Sequence, residues 1–248
     1  MPDFRSYCPA LSPDNPIIQL SSDESHHLVS VNRARSGDPV IVFDGQGQEW
    51  ECELTEANKR KAILSGKQFI HHPSLAYEIA LAQAIPKGKG LESIIRKATE
   101  MGIQHIFPLT SERTESKIRS DRQDAKSEKW LTAAIEGAKQ SGNPFLPKIH
   151  PVQTLDRFLE EASQQFSLKL IASLQSNSVS LKVATTSIGP SSNPTGVFLV
   201  GPEGDFSDRE YAHIESAQFK PVTLGPYVLK CETAAVNALS ILRHEWSS

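Results

Sequence analysis

The residues whose types and spacing could do chemistry lie in two glycine-containing turns of the C-terminal third. The first reads Leu199-Val200-Gly201-Pro202-Glu203-Gly204-Asp205-Phe206-Ser207. The second reads Leu224-Gly225-Pro226-Tyr227-Val228-Leu229-Lys230-Cys231-Glu232-Thr233-Ala234. Glycine at the carboxyl end of a strand lets a ligand approach the backbone closely. In open α/β sheets that end is where ligands bind. Two ordinary βα turns would carry the same residues, but finding two of them in one sheet favours a binding site. Glu232 can serve a ligand or the start of a helix, since acids favour helix N-termini.

Other cofactor signals fail. No G-x-G-x-x-G follows a strand, and no G-x-S-x-G or H-E-x-x-H occurs. Lys87-Gly88-Lys89-Gly90-Leu91-Glu92-Ser93 lacks P-loop spacing. It is either a solvated basic turn or a phosphate contact at a helix N-terminus. The adjacent pairs His26-His27 and His71-His72 would point to opposite strand faces, which is poor metal geometry. No metal is expected. Cys8, Cys52 and Cys231 are scattered and form no C-x-x-C. Basic residues gather at Lys87, Lys89, Arg96, Lys97 and Arg113. They continue through Lys117, Arg119, Arg122, Lys126 and Lys129, with acids interleaved, as on a mixed solvated helix face. Arg33 and Arg35 precede a Gly37-Asp38 turn and could touch phosphate.

The elements that must position these turns divide the chain in two. Segments 16–20, 39–43, 50–54 and 61–64 are short strand candidates, with a hairpin at Asp44-Gly45-Gln46-Gly47. Four short strands with tight turns predict a small barrel, ending near His71-His72-Pro73-Ser74. After it, strand candidates at 76–85, 103–107, 168–172, 197–200 and 222–224 alternate with helices. Leu91, Ile94, Ile95, Ala98 and Met101 fall at helical spacing, as do Trp130, Leu131, Ala134, Ile135 and Ala138, and Leu155, Phe158, Leu159 and Ala162. Ser207-Asp208-Arg209-Glu210 is a capping box, and 232–246 is a last helix. Segment 175–196 reads as a Ser-rich loop with one short helix near 179–184. Alternating strands and helices predict an α/β domain with a mostly parallel sheet.

At 248 residues the chain is long enough for one large or two unequal domains, at about 150 residues each. Hydrophobic residues at 38% and charged residues at 22% exclude wholesale disorder. No apolar run approaches the roughly 20 residues of a membrane helix, and Met1-Pro2-Asp3-Phe4-Arg5 lacks a signal-peptide core. No membrane partner is expected, and a cytoplasmic location is the default. A net charge of -3 means that any nucleic-acid surface must be local.

In two places the residues resemble the RsmE family of SPOUT methyltransferases, bacterial enzymes that methylate N3 of a uridine in small-subunit ribosomal RNA. One is Gly201-Pro202-Glu203-Gly204 with Phe206-Ser207. The other runs from Leu224-Gly225 through Val228-Leu229 to Glu232-Thr233-Ala234. Weaker matches are Lys97-Ala98-Thr99-Glu100-Met101-Gly102, Ser111-Glu112-Arg113, Gln140 with Gly142, and His27 through Arg33 to Gly37-Asp38. The pieces cover nearly the whole chain.

The resemblance implies a PUA-like β-barrel RNA-binding domain over 1–72 and a SPOUT domain over 73–248. That second domain would hold a deep C-terminal trefoil knot where general rules predict an unknotted doubly wound sheet. It implies that S-adenosylmethionine is the cofactor and small-subunit ribosomal RNA the partner. It also implies a homodimer with each site at the subunit interface. The cofactor would lie against Leu199, Val200, Gly201, Pro202, Glu203, Gly204, Leu224, Gly225, Val228, Leu229 and Thr233, with Ser173 and Leu174 as a third wall. Lys230, Arg113 and Glu232 are the candidate catalytic residues, and Arg33, Arg35, Lys87, Lys89 and Lys97 the candidate RNA surface. Tyr227, Lys230 and Asn143 stand where the family usually has arginine, Lys139 where it has glutamate, Asn32 where it has leucine and Asp205 where it has glycine. A SPOUT enzyme acting on another RNA and a non-catalytic RNA-binding module are the competing readings.

Overall fold

A computed structural model describes residues 4–114, 123–186 and 193–247. They fall into two compact units, residues 1–74 with 135–146, and residues 75–134 with 147–248.

The first unit is a five-stranded sheet of β1 (Phe4–Tyr7), β2 (Ile17–Gln19), β3 (Pro39–Phe43), β4 (Gln48–Glu56) and β5 (Ile63–His71), in the order β1-β3-β4-β5-β2. The predicted hairpin joins β3 and β4 as an antiparallel pair. Register shifts at Glu51/Cys52 and Leu54/Glu56 bend β4, as bulges do. The expected barrel is present as a curled, half-closed sheet, with no pairing of β1 to β2 among the described residues. The strand missed from sequence, β1, pairs in parallel with β3, a contact with no local signature. His26 and His27 do not lie on a strand. They sit where α1 (Ser22–His26) passes into a π-helical turn (His27–Val31). The core gathers Ile18, Leu20, Leu28, Val40, Val42, Trp50, Leu54 and Leu64. Gly66 permits it, because a Cβ there would lie 2.5 Å from the Trp50 ring. Residues 135–146 are tied in by a Lys139–Glu24 ion pair and by Leu146 N–H donating to Gly45 O at 2.9 Å.

The second unit holds an all-parallel sheet. Its strands are β6 (Glu78–Ala84), β7 (His105–Thr110), β8 (Lys148–Ile149), β9 (Gln153–Thr154), β10 (Leu168–Ala172), β11 (Val179–Ser180), β12 (Thr195–Val200) and β13 (Lys220–Thr223). The order is β11-β13-β10-β12-β6-β7-β8, with β9 also on β7. The mostly parallel α/β sheet expected from alternation is therefore present. Its central strands are buried on both faces, which is why 197–200 reads as an unbroken apolar run. On one face Ala80, Ala82, Phe107, Leu109, Ile171 and Leu199 pack with Phe158, Phe166, Ile214 and Phe219. Phe158 comes from the π-helical continuation (Phe158–Ala162) of α4 (Leu155–Arg157) and Ile214 from α6 (Asp208–Ser216), while Phe166 and Phe219 lie in the segments that lead into β10 and β13. The helices α2 (Gly90–Glu100) and α7 (Cys231–Trp246) pack together, and α7 lies on β6 and β12. A long helix, α3 (Gln123–Ser141), and a short one, α5 (Leu181–Thr186), complete the order. The Ser207–Glu210 capping box is formed at the start of α6 as predicted. No helix of the described residues is long and apolar enough to cross a membrane.

Candidate functional site

A cavity of about 530 Å³ opens where β6, β10, β12 and β13 end. The parallel sheet delivers all four carboxyl ends to one edge, so three turns wall the cavity. Ala172, Ser173 and Leu174 form the first wall. Ser173 N–H donates to Val222 O at 3.0 Å, and the Ser173 hydroxyl accepts from Gln175 N–H at 3.1 Å.

Val200, Gly201, Pro202, Glu203 and Asp205 form the second wall. Asp205 N–H closes this turn on Pro202 O at 2.9 Å. Glu203 Oε1 accepts from Lys87 N–H at 3.0 Å, which fastens the turn to the segment after β6. Asp205 is left-handed, with φ of 61°. Aspartate tolerates this region better than most side chains. Its Oδ1 accepts from Phe206 N–H and from the Tyr211 hydroxyl, both at 2.8 Å.

The third wall is the segment after β13. Gly225 has φ of 128°, and nothing lies within 4 Å of the place where a Cβ would stand. A ligand can therefore reach this backbone. Tyr227 and Val228 are 80% and 76% exposed at the rim. Lys230 is the N-cap residue of α7, extended, with no capping hydrogen bond from its side chain. Glu232 lies in the first turn of α7, and its Oε1 is 3.3 Å from the place of a Cβ on Gly90, at the start of α2. The Cys231 thiol donates to Gly201 O at 3.3 Å. Burial pushes its pKa up to about 11, with Glu203 adding to the effect, so it stays protonated and is no nucleophile at neutral pH.

Of the residues expected at a cofactor, Ser173, Leu174, Val200, Gly201, Pro202, Glu203, Leu224, Gly225, Val228 and Leu229 line this cavity, together with Lys230 and Glu232. Leu199, Gly204 and Thr233 do not. Leu199 is buried in the sheet core, Gly204 faces Arg113 on the outside of its turn, and Thr233 is on the exposed side of α7. Arg113 also stands outside the lining, where its Nη1 donates to Gly204 O at 2.9 Å. Lys87 lines the cavity, while Lys89 and Lys97 are exposed nearby in sequence, on the 86–90 turn and on α2. Arg33 and Arg35 are exposed on the first unit. Lys117, Arg119 and Arg122 lie outside the described residues. Lys139 is not on a free surface, since its partner is Glu24. Reasoning from sequence missed Pro86, Gly90, Asp205 and Cys231 as lining residues. Asp205 had a signal: it replaces a glycine in a tight turn. Among the described residues no group of three or more His, Cys, Asp or Glu side chains could hold a metal ion.

Comparison with known proteins gives this architecture a class. Residues 73–243 match the RNA methyltransferase domain, and residues 20–65 match the RNA methyltransferase PUA domain. The ribosomal RNA small subunit methyltransferase E of Bacillus subtilis is 30% identical over 93% of this chain and 91% of its own. That of Synechocystis is 32% identical over 90% and 71%. Among solved structures, a Legionella pneumophila protein with the cofactor SAM bound superposes with a TM-score of 0.89, at 30% identity over 97% of both chains. The Neisseria gonorrhoeae ribosomal RNA small subunit methyltransferase E bound to S-adenosyl methionine superposes with a TM-score of 0.85, at 27% identity over 98% of this chain and 97% of that one. Fold and site thus define an RNA methyltransferase with a PUA domain. The chain belongs to the ribosomal RNA small subunit methyltransferase E family.

Proposed function

We propose that this chain transfers a methyl group from S-adenosylmethionine to N3 of a uridine in small-subunit ribosomal RNA. The observation that carries the reading is the three-walled cavity at the carboxyl ends of the parallel strands. Its volume of about 530 Å³ suits a small-molecule cofactor. Its walls combine the open backbone of Gly225 with apolar Leu224, Val228 and Leu229 and with polar Ser173 and Glu203. These residues would hold the cofactor, which supplies an electrophilic methyl on a sulfonium.

The chain's own task is then mostly positioning. Uridine N3 is protonated and a weak nucleophile until that proton leaves. Lys230 at the rim can stabilise the negative charge that spreads to the uracil carbonyl oxygens. Arg113, on the outer side of the 201–206 turn, is given the same role or a hold on the phosphate of the target nucleotide. Glu232 can accept hydrogen bonds from the cofactor's amino groups. Base pairing would block N3, so the target must be unpaired. Arg33, Arg35, Lys87, Lys89 and Lys97 are the cations proposed for the RNA backbone. The reading includes the domain division at 72/73, the trefoil knot, the homodimer and a cytoplasmic location. Exposed Leu174, Tyr227 and Val228 at the cavity rim support an intersubunit face there.

Calorimetric titration with S-adenosylmethionine should saturate at about one cofactor per chain. Incubation with small-subunit ribosomal RNA, followed by mapping, should then give one N3-methyluridine. A folded protein with no saturable binding excludes the reading.

A further inference from the structure

The Glu210 carboxylate is 2% exposed and does two things. Its Oε2 accepts from Ser207 N–H at 2.9 Å, the ordinary half of a capping box. Its Oε1 accepts from Glu112 N–H at 2.8 Å, on a turn 98 residues away in sequence. The residue before it, Arg209, donates from Nε to the Glu112 carboxylate at 2.8 Å and from Nη2 to Asp156 at 3.0 Å. Glu112 is therefore gripped through its backbone and its side chain by two consecutive residues of α6.

The turn that carries Glu112 is stiff by itself. Thr114 Oγ1 accepts from Ser111 N–H at 2.9 Å, and Thr114 N–H donates to Ser111 O at 3.1 Å. With the turn stiff and Glu112 gripped, the next residue has little freedom. That residue is Arg113, whose guanidinium donates to Gly204 O at 2.9 Å and whose Cβ would be 3.4 Å from a Cβ on Gly204. An arginine has five N–H donors in a fixed fork, so where its base is held decides where the others aim.

We propose that α6, through Arg209 and Glu210, clamps Glu112 and so fixes the aim of Arg113 at the cofactor turn. Arg209 and Glu210 are then positioning residues for methyl transfer. This rests on the role given to Arg113 above. A capping box needs only one carboxylate oxygen, and a neutral glutamine could fill it. The second oxygen has no task in the helix, and what it holds is the arginine's turn.

The test is a double-mutant cycle on the full chain with small-subunit ribosomal RNA as substrate. Glu210→Gln leaves one acceptor for two N–H donors. It should lower kcat by about tenfold or more, the scale of a misaligned group, while the S-adenosylmethionine Kd stays within about twofold. Arg209→Ala, at an exposed position with no risk to folding, should lower kcat by about two- to fivefold, the range of a surface ion pair. In an Arg113→Ala background neither change should lower kcat further, although Glu210→Gln should still lower Tm. Equal losses in both backgrounds, or unchanged kcat in the Arg209 and Glu210 variants, would reduce Glu210 to a helix cap and overturn the clamp. Should Glu210→Gln not fold, the Arg209 cycle alone decides by the same criterion. An Arg113→Ala enzyme with wild-type kcat would overturn the role of Arg113 itself. An impaired Arg113→Ala enzyme with additive clamp variants overturns the clamp alone.

Discussion

The Tyr211 hydroxyl donates to Asp205 Oδ1 at 2.8 Å, so the start of α6 holds the left-handed corner of the proposed cofactor turn. Burial and the Asp205 hydrogen bond both push the Tyr211 pKa up, so the phenol remains a donor at any working pH. Three variants separate the backbone contribution from the hydrogen bonds. Asp205→Asn keeps an acceptor and a tolerated φ, and should be near wild type. Asp205→Gly relieves the backbone but loses two hydrogen bonds, costing about 1 kcal/mol or slightly more. Asp205→Ala loses both and should cost about 2–3 kcal/mol. Urea unfolding reads the order. An alanine variant as stable as the glycine variant would remove the strain argument.

Lys230 and Glu232 should separate activity from stability. Lys230 is exposed and its side chain makes no capping bond, so Lys230→Ala should leave the melting temperature unchanged. Glu232→Ala removes an acid from the first turn of α7, a loss of about 0.5 kcal/mol. Each should cut methylation more than about tenfold, the scale of one lost charged contact at a reacting group. Near wild-type turnover in both variants would take them out of the active site.

How much of this was legible in the sequence follows the range of the signal. The capping box at Ser207, the hairpin at 44–47 and the apolar strand ending at Val200 are local patterns, and each is found where its residues predict it. The strand at 4–7 was not legible, because it forms only by parallel pairing with β3. The π-helical turns at His27–Val31 and Phe158–Ala162 differ from α-helix by one residue of register, which spacing does not resolve. At the site, glycines marked two walls, and only the resemblance supplied the third, at Ser173. The ties among Tyr211, Asp205, Glu210 and Glu112 join distant segments, so no window of sequence contains them. Lys139, read as an altered family position, is explained by Glu24, which gives the inverted charge a partner.

RNA affinity should fall with salt in proportion to the phosphates neutralised. The slope of log Kobs against log salt changes by about 0.7 per contact on single strands and about 0.9 on duplex. Arg33→Ala, Arg35→Ala and Lys97→Ala should each flatten it by about that amount while the S-adenosylmethionine Kd stays constant. All three side chains are exposed, so little stability should be lost. A slope indifferent to all three would place the RNA elsewhere.

Acid should weaken the second unit through a histidine pair remote from the cavity. His105 Nδ1 and His150 Nε2 are 3.0 Å apart, His105 Nε2 lies 3.3 Å from Glu78, and His150 stacks on Phe107 at 3.9 Å. One proton between the two rings satisfies the contact, and a second charge there would be repelled. Burial lowers both pKa values. His150 falls to about 4, with His105 and Lys148 adding to the effect, while Glu78 partly opposes the shift at His105. The folded state thus takes up the proton less readily than the unfolded chain, whose histidines titrate near 6.5. Stability from the pair is complete above about pH 6.5 and is lost as the pH falls from there toward 4. Because both rings are partly exposed, the loss should be about 1–2 kcal/mol rather than the full value of the shift. Urea midpoints between pH 7.5 and 4 should show it, and His150→Gln should flatten the curve in that window. Asp156 and Glu112, whose pKa values are lowered by hydrogen bonds led by His213 and Ser207 respectively, lose their contribution only as pH falls through the carboxylate range. An unchanged slope in His150→Gln between pH 6.5 and 5 would therefore assign the acid sensitivity to other groups.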